Sequence, residues 1–190
     1  MARITKAPEE RRQEILNTAM RLFYEQGYEK TSISDISKAV HVAQGLCYRY
    51  FPSKEALYDE AMDQYAEALA QRMTAGMEEN GSSLKTMILQ SITGFEVEND
   101  GSYAYKFCHG PEKEKIHAQL SLAVCAKMSP VIKRQLDLAV KRGELEIDDT
   151  ETAASFAVFG QLGILLDPAL TNEEKETRIR AFLLKLLKLS

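Results

Sequence analysis

The segment VAQGLCYRYFPSKEAL (residues 42–57) concentrates side chains that suit contact with an anionic surface. Gln44 and Tyr48 are four residues apart, so a helix would place them on one face, and Gly45 would keep the start of that helix slim. Glutamine can pair with an adenine edge through two hydrogen bonds, whereas hydroxyl, guanidinium and ammonium groups suit phosphate oxygens. The chemistry that this segment favours is therefore recognition of a nucleic acid.

Two other groups of residues have types that could do chemistry. His109 and His117, with acidic residues between them, imitate a metal site, but Gly110–Pro111 interrupts the helix and no pair of histidines has i, i+4 spacing. Cys108 and Cys125 have the types of a redox pair, yet buried inert thiols fit the sequence better. We therefore expect no metal site and no cofactor, and we interpret these residues as structural.

The 190-residue chain has the composition of an ordinary globular protein, with 45% apolar and 27% charged residues. Its net charge of −4 conceals an asymmetry, because residues 1–54 hold nine basic and six acidic side chains and so carry +3, which leaves −7 for the remainder. A basic head on an acidic body favours a localised contact with a polyanion. No apolar run reaches the roughly 18 residues of a membrane helix, and the polar start with three scattered cysteines favours a cytoplasmic location.

Helical periodicity fills almost the whole sequence and the alternation typical of strands is missing from it, so we predict an all-α fold of about nine helices. A first helix is expected from Pro8 to a C-terminal cap at Gly27. Ser32 and Asp35 form the capping box of a second helix over ISDISKAV. QGLCYRYF forms the third helix, which ends before Pro52.

Six further helices are predicted after Pro52. Ser53 is expected to cap the fourth helix, Ser129–Pro130 to be a cap followed by a first-turn proline, and Thr171 with Glu174 to cap the last helix. The segment NDGSYAYKFCHG is expected to be looser, with room for a short helix. The predicted limits are Ser53 to about residue 80, 82–98, 112–128, 130–143, 148–166 and 171–189.

The second and third helices form a helix-turn-helix by their lengths and apolar pattern. GYEKTSISDISKAVHVAQGLCYRYFPSKEALYDEAM resembles the N-terminal signature of the TetR family of bacterial one-component transcriptional regulators, and the resemblance is specific over about residues 10–62. It implies that Lys54 binds a phosphate at the start of the fourth helix. The DNA-contacting positions that the resemblance implies are Ser32, Ser34, Ala43, Gln44, Gly45, Leu46, Tyr48, Arg49, Tyr50 and Lys54.

Three positions depart from the family pattern. His41 stands where the turn usually has glycine, so a histidine must adopt any left-handed backbone there. Ala43 replaces a Ser or Thr cap and forfeits a hydrogen bond worth about 0.5–2 kcal/mol. Leu46 replaces a phosphate-binding Thr or Ser and offers an apolar surface to a thymine methyl group.

The resemblance implies two domains, a helix-turn-helix DNA-binding domain over residues 1–53 and a ligand-binding and dimerisation domain over residues 54–190. The segments TETAASFAVFGQLGILL and EEKETRIRAFLLKLLKL are too apolar for helices that expose one face to solvent. A symmetric homodimer would bury the additional apolar side chains. Burial within one subunit is the alternative. The expected interface residues are Phe156, Phe159, Gly160, Gly163, Phe182, Leu183 and Leu186.

An effector pocket is expected between the fourth helix and the helices of residues 82–142. Its predicted lining residues are Met62, Tyr65, Met87, Phe95, Tyr103, Phe107, His109, His117, Cys125 and Met128. Methionines and aromatic residues at helical spacing are commonly core residues, and this remains the alternative. The balance of side chains predicts a small apolar or aromatic effector with a polar group.

These expectations combine into a ligand-responsive transcriptional regulator, a repressor, that binds pseudo-palindromic operator DNA as a homodimer and does not bind a membrane. The alternative is an all-helical enzyme or small-molecule-binding protein whose trihelical head does not bind DNA. The sequence contains no nucleophile–base motif, glycine-rich phosphate loop or paired-carboxylate motif, so we predict no catalytic residue. Salt-dependent binding to DNA discriminates between the two hypotheses.

Overall fold

The computed structural model describes residues 6–75, 77, 82–90, 101–108 and 113–189, with residues 113–115 described by their backbone alone. Within these ranges the chain forms ten α-helices and no β-strand, so the all-α prediction is confirmed. None of the helices in the described ranges is long and apolar enough to span a membrane. The helices are α1 (Pro8–Gln26), α2 (Ile33–Val40), α3 (Gln44–Tyr50), α4 (Lys54–Thr74), α5 (Leu84–Gln90), α6 (Tyr103–Cys108), α7 (Lys113–Lys141), α8 (Thr150–Phe159), α9 (Leu162–Leu165) and α10 (Asn172–Leu186).

The helices belong to two compact units. The first unit comprises Met1–Tyr65 with Asn99–His117, and the second comprises Ala66–Glu98 with Ala118–Ser190. The divisions after Tyr65 and after His117 fall inside helices, so α4 and α7 each contribute residues to both units. The first unit therefore contains α1, α2, α3 and α6 with the beginning of α4.

The core of the first unit is built from the apolar faces of its helices. Phe23 of α1, Phe51 after α3 and Leu57 of α4 are at most 1% exposed. An aromatic cluster extends this core to α6, because the Phe107 ring lies 6.2 Å from that of Phe23 and 6.1 Å from that of Tyr58. Burial of this kind supplies the main favourable free energy of folding. It fixes the short helices α2 and α3 against α1.

The predicted boundaries of the first helices are confirmed. Gly27 follows α1 with a φ of 91°, a backbone conformation in which glycine carries no steric cost. The Ser32 hydroxyl accepts a hydrogen bond from the Asp35 N–H at 3.2 Å, and the Ser32 N–H donates to the Asp35 carboxylate at 3.0 Å. This capping box begins α2. The Ser53 hydroxyl accepts from the Ala56 N–H at 3.1 Å and begins α4.

The second unit has its own apolar core, formed by α5, α7, α8 and the end of α10. Its buried residues include Leu84, Leu136 and Leu187. The backbone N–H of Leu84 donates to the Glu144 carboxylate at 2.8 Å, which ties the start of α5 to the loop after α7. The predicted capping box of the last helix is confirmed, because the Thr171 hydroxyl accepts from the Glu174 N–H.

One predicted helix end in the middle of the chain is wrong, and a second falls outside the described residues. The fourth helix ends at Thr74 rather than near residue 80, and residues 78–81 lie outside the described ranges. The Thr74 hydroxyl donates to the Ala70 carbonyl oxygen at 2.8 Å, a local bond that competes with the helical ladder. The helix predicted over 82–98 is present as α5, whose described part ends at Gln90, and residues 91–98 lie outside the described ranges.

Pro130 does not start a helix, contrary to the prediction that Ser129–Pro130 is a cap. It lies inside α7, which runs without interruption from Lys113 to Lys141. A proline removes only its own N–H donor and displaces the carbonyl four residues earlier, at a cost of about 3 kcal/mol. Apolar side chains of α7 on both sides of Pro130, such as Val124 and Leu136, are buried in the second unit and offset that cost.

The helix predicted over 148–166 is also wrong, because it is two helices. α8 ends at Phe159 and α9 begins at Leu162. Glycine at position 160 weakens a helix by about 1 kcal/mol relative to alanine. The Gln161 side-chain amide donates to the Ala157 carbonyl oxygen at 3.0 Å, which is the acceptor that the Gln161 backbone N–H would use in a continuous helix. A residue-type pattern does not reveal this exchange of donors.

The turn between α2 and α3 depends on His41, which adopts the left-handed conformation with φ 59° and ψ 44°. The N–H of Val42 then donates to the Ser37 carbonyl oxygen at 2.9 Å and closes the turn. The requirement that histidine adopt this conformation is confirmed. Left-handed backbone costs an L-residue about 1–2 kcal/mol, and a branched Cβ makes it a true outlier.

We expect His41→Val to lower the free energy of unfolding by about 1–2 kcal/mol, because a β-branched residue does not tolerate positive φ. His41→Gly is the matched variant and should remain within about 0.5 kcal/mol of the parent, since lost strain and added chain entropy oppose each other. Urea unfolding measures both values. Equal losses for valine and glycine would show that the imidazole itself, rather than the backbone, matters.

Arg12 ties three elements of the first unit together. Its guanidinium donates to the Tyr50 carbonyl oxygen at 3.3 Å and forms an ion pair with the Glu60 carboxylate of α4. The same group lies 4.5 Å from the centroid of the Phe51 ring. A planar group with several donors suits this role, and a lysine could not make all three contacts. Arg12 therefore holds the end of α3 against α1 and α4.

We expect Arg12→Ala to lower the free energy of unfolding by about 2 kcal/mol, the sum of a hydrogen bond, a cation–π contact and a half-buried ion pair. Arg21→Ala is the matched control on α1, because Arg21 makes an exposed i, i+4 pair with Glu25 at 3.0 Å, worth about 0.3–0.5 kcal/mol. Urea unfolding of the two variants gives the comparison. Similar small losses for both would contradict the three-way tie.

Candidate functional site

Helix α3 has a buried face and a polar face. Cys47 is 0% exposed and Phe51, which follows the helix, is 1% exposed, so both belong to the core of the first unit. Gln44, Tyr48 and Arg49 are exposed on the remaining surface. The side chain of Tyr48 is 48% exposed although it is large and aromatic. The helix thus offers a polar, aromatic and cationic surface to an external partner.

The other predicted contact positions of α3 divide between the two faces. Ala43 and Gly45 are exposed, whereas Leu46 and Tyr50 are half-buried, and Tyr50 packs against the core. Ala43 occupies the N-cap position and its side chain makes no capping bond, as its residue type predicts. The structure therefore brings Ala43, Gln44, Gly45, Tyr48 and Arg49 to one open surface.

A polar groove of about 440 Å³ adjoins this surface. It is lined by the beginnings of α2 and α4, through Ser32 and Ser53, and by the side chains of Tyr48 and Lys54. The N-terminal ends of helices carry partial positive charge and favour anions. Ser34, by contrast, is half-buried and its carbonyl oxygen accepts from the Ser37 hydroxyl at 2.9 Å. Two hydroxyl-bearing helix starts, the Tyr48 ring and the Lys54 ammonium group thus line one groove, together with the acidic residues Glu29 and Glu55.

Lys54 is held in place by Tyr28, a residue that the sequence did not single out. The Lys54 ammonium group donates to the Tyr28 carbonyl oxygen at 3.0 Å and lies 4.2 Å from the centroid of the Tyr28 ring. These contacts use one of the three ammonium donors. No signal in the sequence links residues 28 and 54, because their contact arises only when α1 and α4 share a core. Arg12 was missed for the same reason.

Ionisation near the groove is shaped by hydrogen bonds and burial. Hydrogen bonds from Ser32 lower the pKa of the Asp35 carboxyl group. A hydrogen bond from its own backbone and another from Ser53 lower the pKa of the Glu55 carboxyl group. Burial, followed by the nearby acidic residues Glu55, Glu29 and Asp59, raises the pKa of Tyr28. Both carboxyl groups are therefore ionised at neutral pH and place negative charge at the starts of α2 and α4.

The second unit contains an apolar cavity of about 100 Å³. Three of the predicted pocket residues, Met87, Cys125 and Met128, line it. The described residues that surround it are Met73, Met77, Leu84, Met87, Ile88, Cys125, Met128, Ile132, Gln135, Leu136, Ala157, Val158, Gln161, Leu165, Leu183 and Leu187. The sequence analysis missed Gln135 and Gln161, which supply the amide groups of the wall.

Five other predicted pocket residues lie in the first unit. Tyr103 and Phe107 pack against the core of the first unit through α6. Met62 and Tyr65 are buried on the part of α4 that belongs to the first unit, and His117 is a half-buried residue at the end of that unit. Phe95 and His109 lie outside the described residues.

Burial governs the chemistry of the cysteines, all of which are buried free thiols. It raises the pKa of Cys108 to about 12 and that of Cys125 to about 11. The Cys125 thiol donates to the Val158 carbonyl oxygen at 3.7 Å. Within the described ranges no cluster of three or more His, Cys, Asp or Glu side chains could hold a metal ion.

An open apolar groove of about 710 Å³ runs between α8 and α10. Phe156 is 71% exposed, Phe182 is 62% exposed and Leu186 is 48% exposed. Five of the predicted interface residues line the groove, namely Phe156, Gly160, Phe182, Leu183 and Leu186. Phe159 is half-buried and Gly163 is exposed, and neither lines the groove. Large aromatic side chains that remain exposed in this way mark a surface built for contact.

Comparison with known proteins places the strongest similarity on the helix-turn-helix. Residues 15–61 match the family model described as bacterial regulatory proteins, tetR family. The HTH-type transcriptional regulator AcrR of Shigella flexneri is 46% identical over 61 residues, which cover 32% of this chain and 28% of AcrR. The nucleoid occlusion factor SlmA of Haemophilus influenzae (strain PittGG) is 32% identical over 95 residues, which cover 48% of this chain and 44% of SlmA. The matched region thus spans less than half the length of either relative.

Solved structures share the fold over nearly the whole chain. Salmonella enterica GusR superposes with a TM-score of 0.60 and 24% identity over 98% of this chain and 100% of GusR. RolR in complex with resorcinol superposes with a TM-score of 0.58 and 18% identity over 94% of this chain and 88% of RolR. At these identities the likeness concerns the fold alone. The sequence match falls on the helices that build the polar face of α3, so we conclude that residues 15–61 carry the sequence signature of the tetR family of bacterial regulatory proteins.

Proposed function

We propose that this protein is a DNA-binding transcriptional regulator that reads DNA with α3. The observation that carries the proposal is the division of α3 into a buried face at Cys47 and Phe51 and an exposed face at Gln44, Tyr48 and Arg49. A helix of this kind enters the major groove with its polar face toward the base edges. We assign the DNA-binding domain to residues 1–53 and the ligand-binding and dimerisation domain to residues 54–190.

The contacts divide by chemistry into base and phosphate contacts. Gln44 near the start of α3 is suited to an adenine edge, and Leu46 beside it to a thymine methyl group. Tyr48, Lys54 and the Ser32 end of α2 surround the polar groove, which suits a phosphate. The surplus of basic residues in the first 54 residues assists the approach of DNA.

We expect Tyr48→Phe to weaken binding to the DNA upstream of the protein's own coding region, because it removes only a hydroxyl that donates to phosphate. The loss should be about 1 kcal/mol, or about fivefold in Kd, in fluorescence anisotropy titrations. Tyr24→Phe is the matched control, since Tyr24 is 46% exposed in the same unit and Tyr48 is 48% exposed.

Lys54→Gln should reduce the slope of log K against log salt by about one, as expected for one lost phosphate contact. The variants must keep the unfolding midpoint of the parent for the comparison to hold. If Tyr48→Phe and Lys54→Gln bound DNA as tightly as Tyr24→Phe, the helix-turn-helix domain would not be the part of the protein that binds DNA. The alternative, an all-helical small-molecule-binding protein or enzyme with a non-binding head, would then be favoured.

We further infer that the protein binds its operator as a homodimer that buries the groove of α8 and α10. Phe156, Phe182 and Leu186 form an exposed apolar surface that a two-fold partner would cover with the same residues. Paired recognition helices at a spacing of about 34–36 Å would match two half-sites of a pseudo-palindrome. Gly160 lines this groove, and glycine is required there by its own chain, because a Cβ at this position would lie 2.4 Å from the Phe156 carbonyl oxygen.

Phe182→Glu should convert the dimer to a monomer in sedimentation equilibrium, because it places a charge in the centre of an apolar interface. We expect the dissociation constant of the dimer to rise by at least about 100-fold, equivalent to about 2.7 kcal/mol. Leu122→Glu is the control, since Leu122 is a 54% exposed apolar residue of α7 outside the groove. An unchanged dimer in Phe182→Glu, or equal dissociation in Leu122→Glu, would contradict this interface.

Response to a small apolar or aromatic effector completes the proposal, and repression is the mode of action we assign. The supporting observation is that α4 is one continuous helix that begins at Lys54 of the polar groove and includes Met73 of the cavity wall. An effector that favours another position of α4 would misplace the recognition helices, and a coupling of about 2.7 kcal/mol lowers DNA affinity 100-fold. A regulator of this kind acts where the DNA is, in the cytoplasm.

A further inference from the structure

We propose that the cavity of the second unit binds a neutral molecule about the size of a single six-membered ring, and that Gln135 selects it through a hydrogen bond. This inference rests on the proposed function, because it names the class of effector to which the regulator responds. It depends on three properties of the cavity wall, namely its size, its lack of charge and one unpaired amide group.

The size of the cavity limits the ligand. Its volume is about 100 Å³. A dry apolar cavity of about 150 Å³ in another protein holds benzene, whereas pockets for drug-sized ligands measure about 300–1,000 Å³. The cavity is smaller than both, so a single ring or a short branched chain is the largest ligand that small shifts of the lining methionine side chains would admit. A long acyl chain or a fused ring system does not fit without opening the wall.

The wall carries no charge among its described residues. Its lining side chains are aliphatic or thioether groups, apart from Cys125, Gln135 and Gln161. A carboxylate or ammonium group placed here would lose its water and gain no counterion, which is strongly unfavourable. The cavity therefore selects for a ligand without formal charge.

Gln135 is the polar side chain of this wall that has no partner. Cys125 donates to the Val158 carbonyl oxygen and the Gln161 amide donates to the Ala157 carbonyl oxygen. Gln135 is 3% exposed, and among the described residues none forms a hydrogen bond with its side chain. Because its polar atoms are not fully enclosed, the Gln135 amide in the cavity wall is still accessible to a small molecule. A ligand that offers a hydroxyl or carbonyl group to Gln135 therefore gains a hydrogen bond in an apolar wall.

Four methionines make the rest of the wall adaptable. Met73, Met77, Met87 and Met128 all line the cavity. Thioether side chains are unbranched and polarisable, so they adjust to rings of different shape and discriminate poorly among them. Selectivity between ligands of similar size must then come from Gln135. The inferred class is a neutral, singly hydroxylated or carbonyl-bearing ring compound.

The experiment is a titration of the full chain, labelled with 13C at the methionine methyl groups, with phenol, toluene and benzoate. Phenol should shift the methyl resonances of the four cavity methionines and leave those of Met20 and Met62, which are buried in the first unit, unchanged. Benzoate should bind at least about tenfold more weakly than phenol, because its charge is not paired in the cavity. The proposal would be overturned if phenol left the methyl resonances of the cavity methionines unshifted, or if benzoate bound as tightly as phenol.

Gln135→Leu tests the hydrogen bond directly. It should reduce the preference for phenol over toluene, measured as the ratio of their dissociation constants, by about tenfold. Gln161→Leu makes the same change in the same wall and should leave this ratio unchanged. An unchanged ratio in Gln135→Leu, or an equal fall in Gln161→Leu, would overturn the role of Gln135. If Gln135→Leu does not fold, the comparison of phenol with benzoate in the parent protein still decides the class of ligand.

A parallel DNA titration separates this inference from the proposed function. If the parent protein binds its upstream DNA but phenol leaves the cavity methionines unshifted, the ligand class is wrong and the DNA-binding proposal stands. If phenol shifts the cavity methionines but the protein does not bind DNA, the proposed function is wrong and the cavity remains a ligand site. Each result therefore overturns one proposal without the other.

Discussion

The attachment of α3 to the core of the first unit is the constraint on which the functional surface depends. A helix of seven residues is too short to be stable by itself in water, so its position must come from tertiary contacts. Burial of Cys47 and Phe51 supplies the apolar part of that attachment. Arg12 supplies the polar part through the Tyr50 carbonyl oxygen, because the end of a helix leaves carbonyl groups without helical partners. Every exposed side chain of α3 inherits its direction from these contacts.

The second unit, in contrast, leaves a large apolar surface exposed along α8 and α10. The groove between α8 and α10 exposes Phe156 and Phe182, and its volume is about seven times that of the apolar cavity, with which it shares Ala157 and Leu183. Both depressions share wall residues from α8 and α10. A change in the packing of these two helices would therefore alter the cavity and the proposed dimer surface together.

The sequence predicted some features of the fold well because they depend on short-range chemistry. The capping boxes at Ser32 and Thr171 involve residues three positions apart, and Gly27 ends α1 by its own conformational freedom. A helix start was predicted wrongly at Pro130 and a break was missed at Gln161, because the first depends on burial of distant side chains and the second on which donor of Gln161 bonds to Ala157. Burial of side chains on both sides of Pro130 keeps α7 continuous despite the proline. At the end of α8, the Gln161 side chain takes the Ala157 carbonyl oxygen that a backbone N–H would use in a continuous helix.

The sequence by itself determined the helix-turn-helix, its left-handed turn at His41 and the residue types that α3 offers to DNA, because these follow from local spacing. Only the tertiary structure decided which distant residues meet. It placed Tyr28 under Lys54 and Tyr103 on the core of the first unit, and it left Gln135 as a buried amide in an apolar wall. Such contacts join residues far apart in the chain, and their partners are chosen by the packing of whole helices rather than by any local pattern.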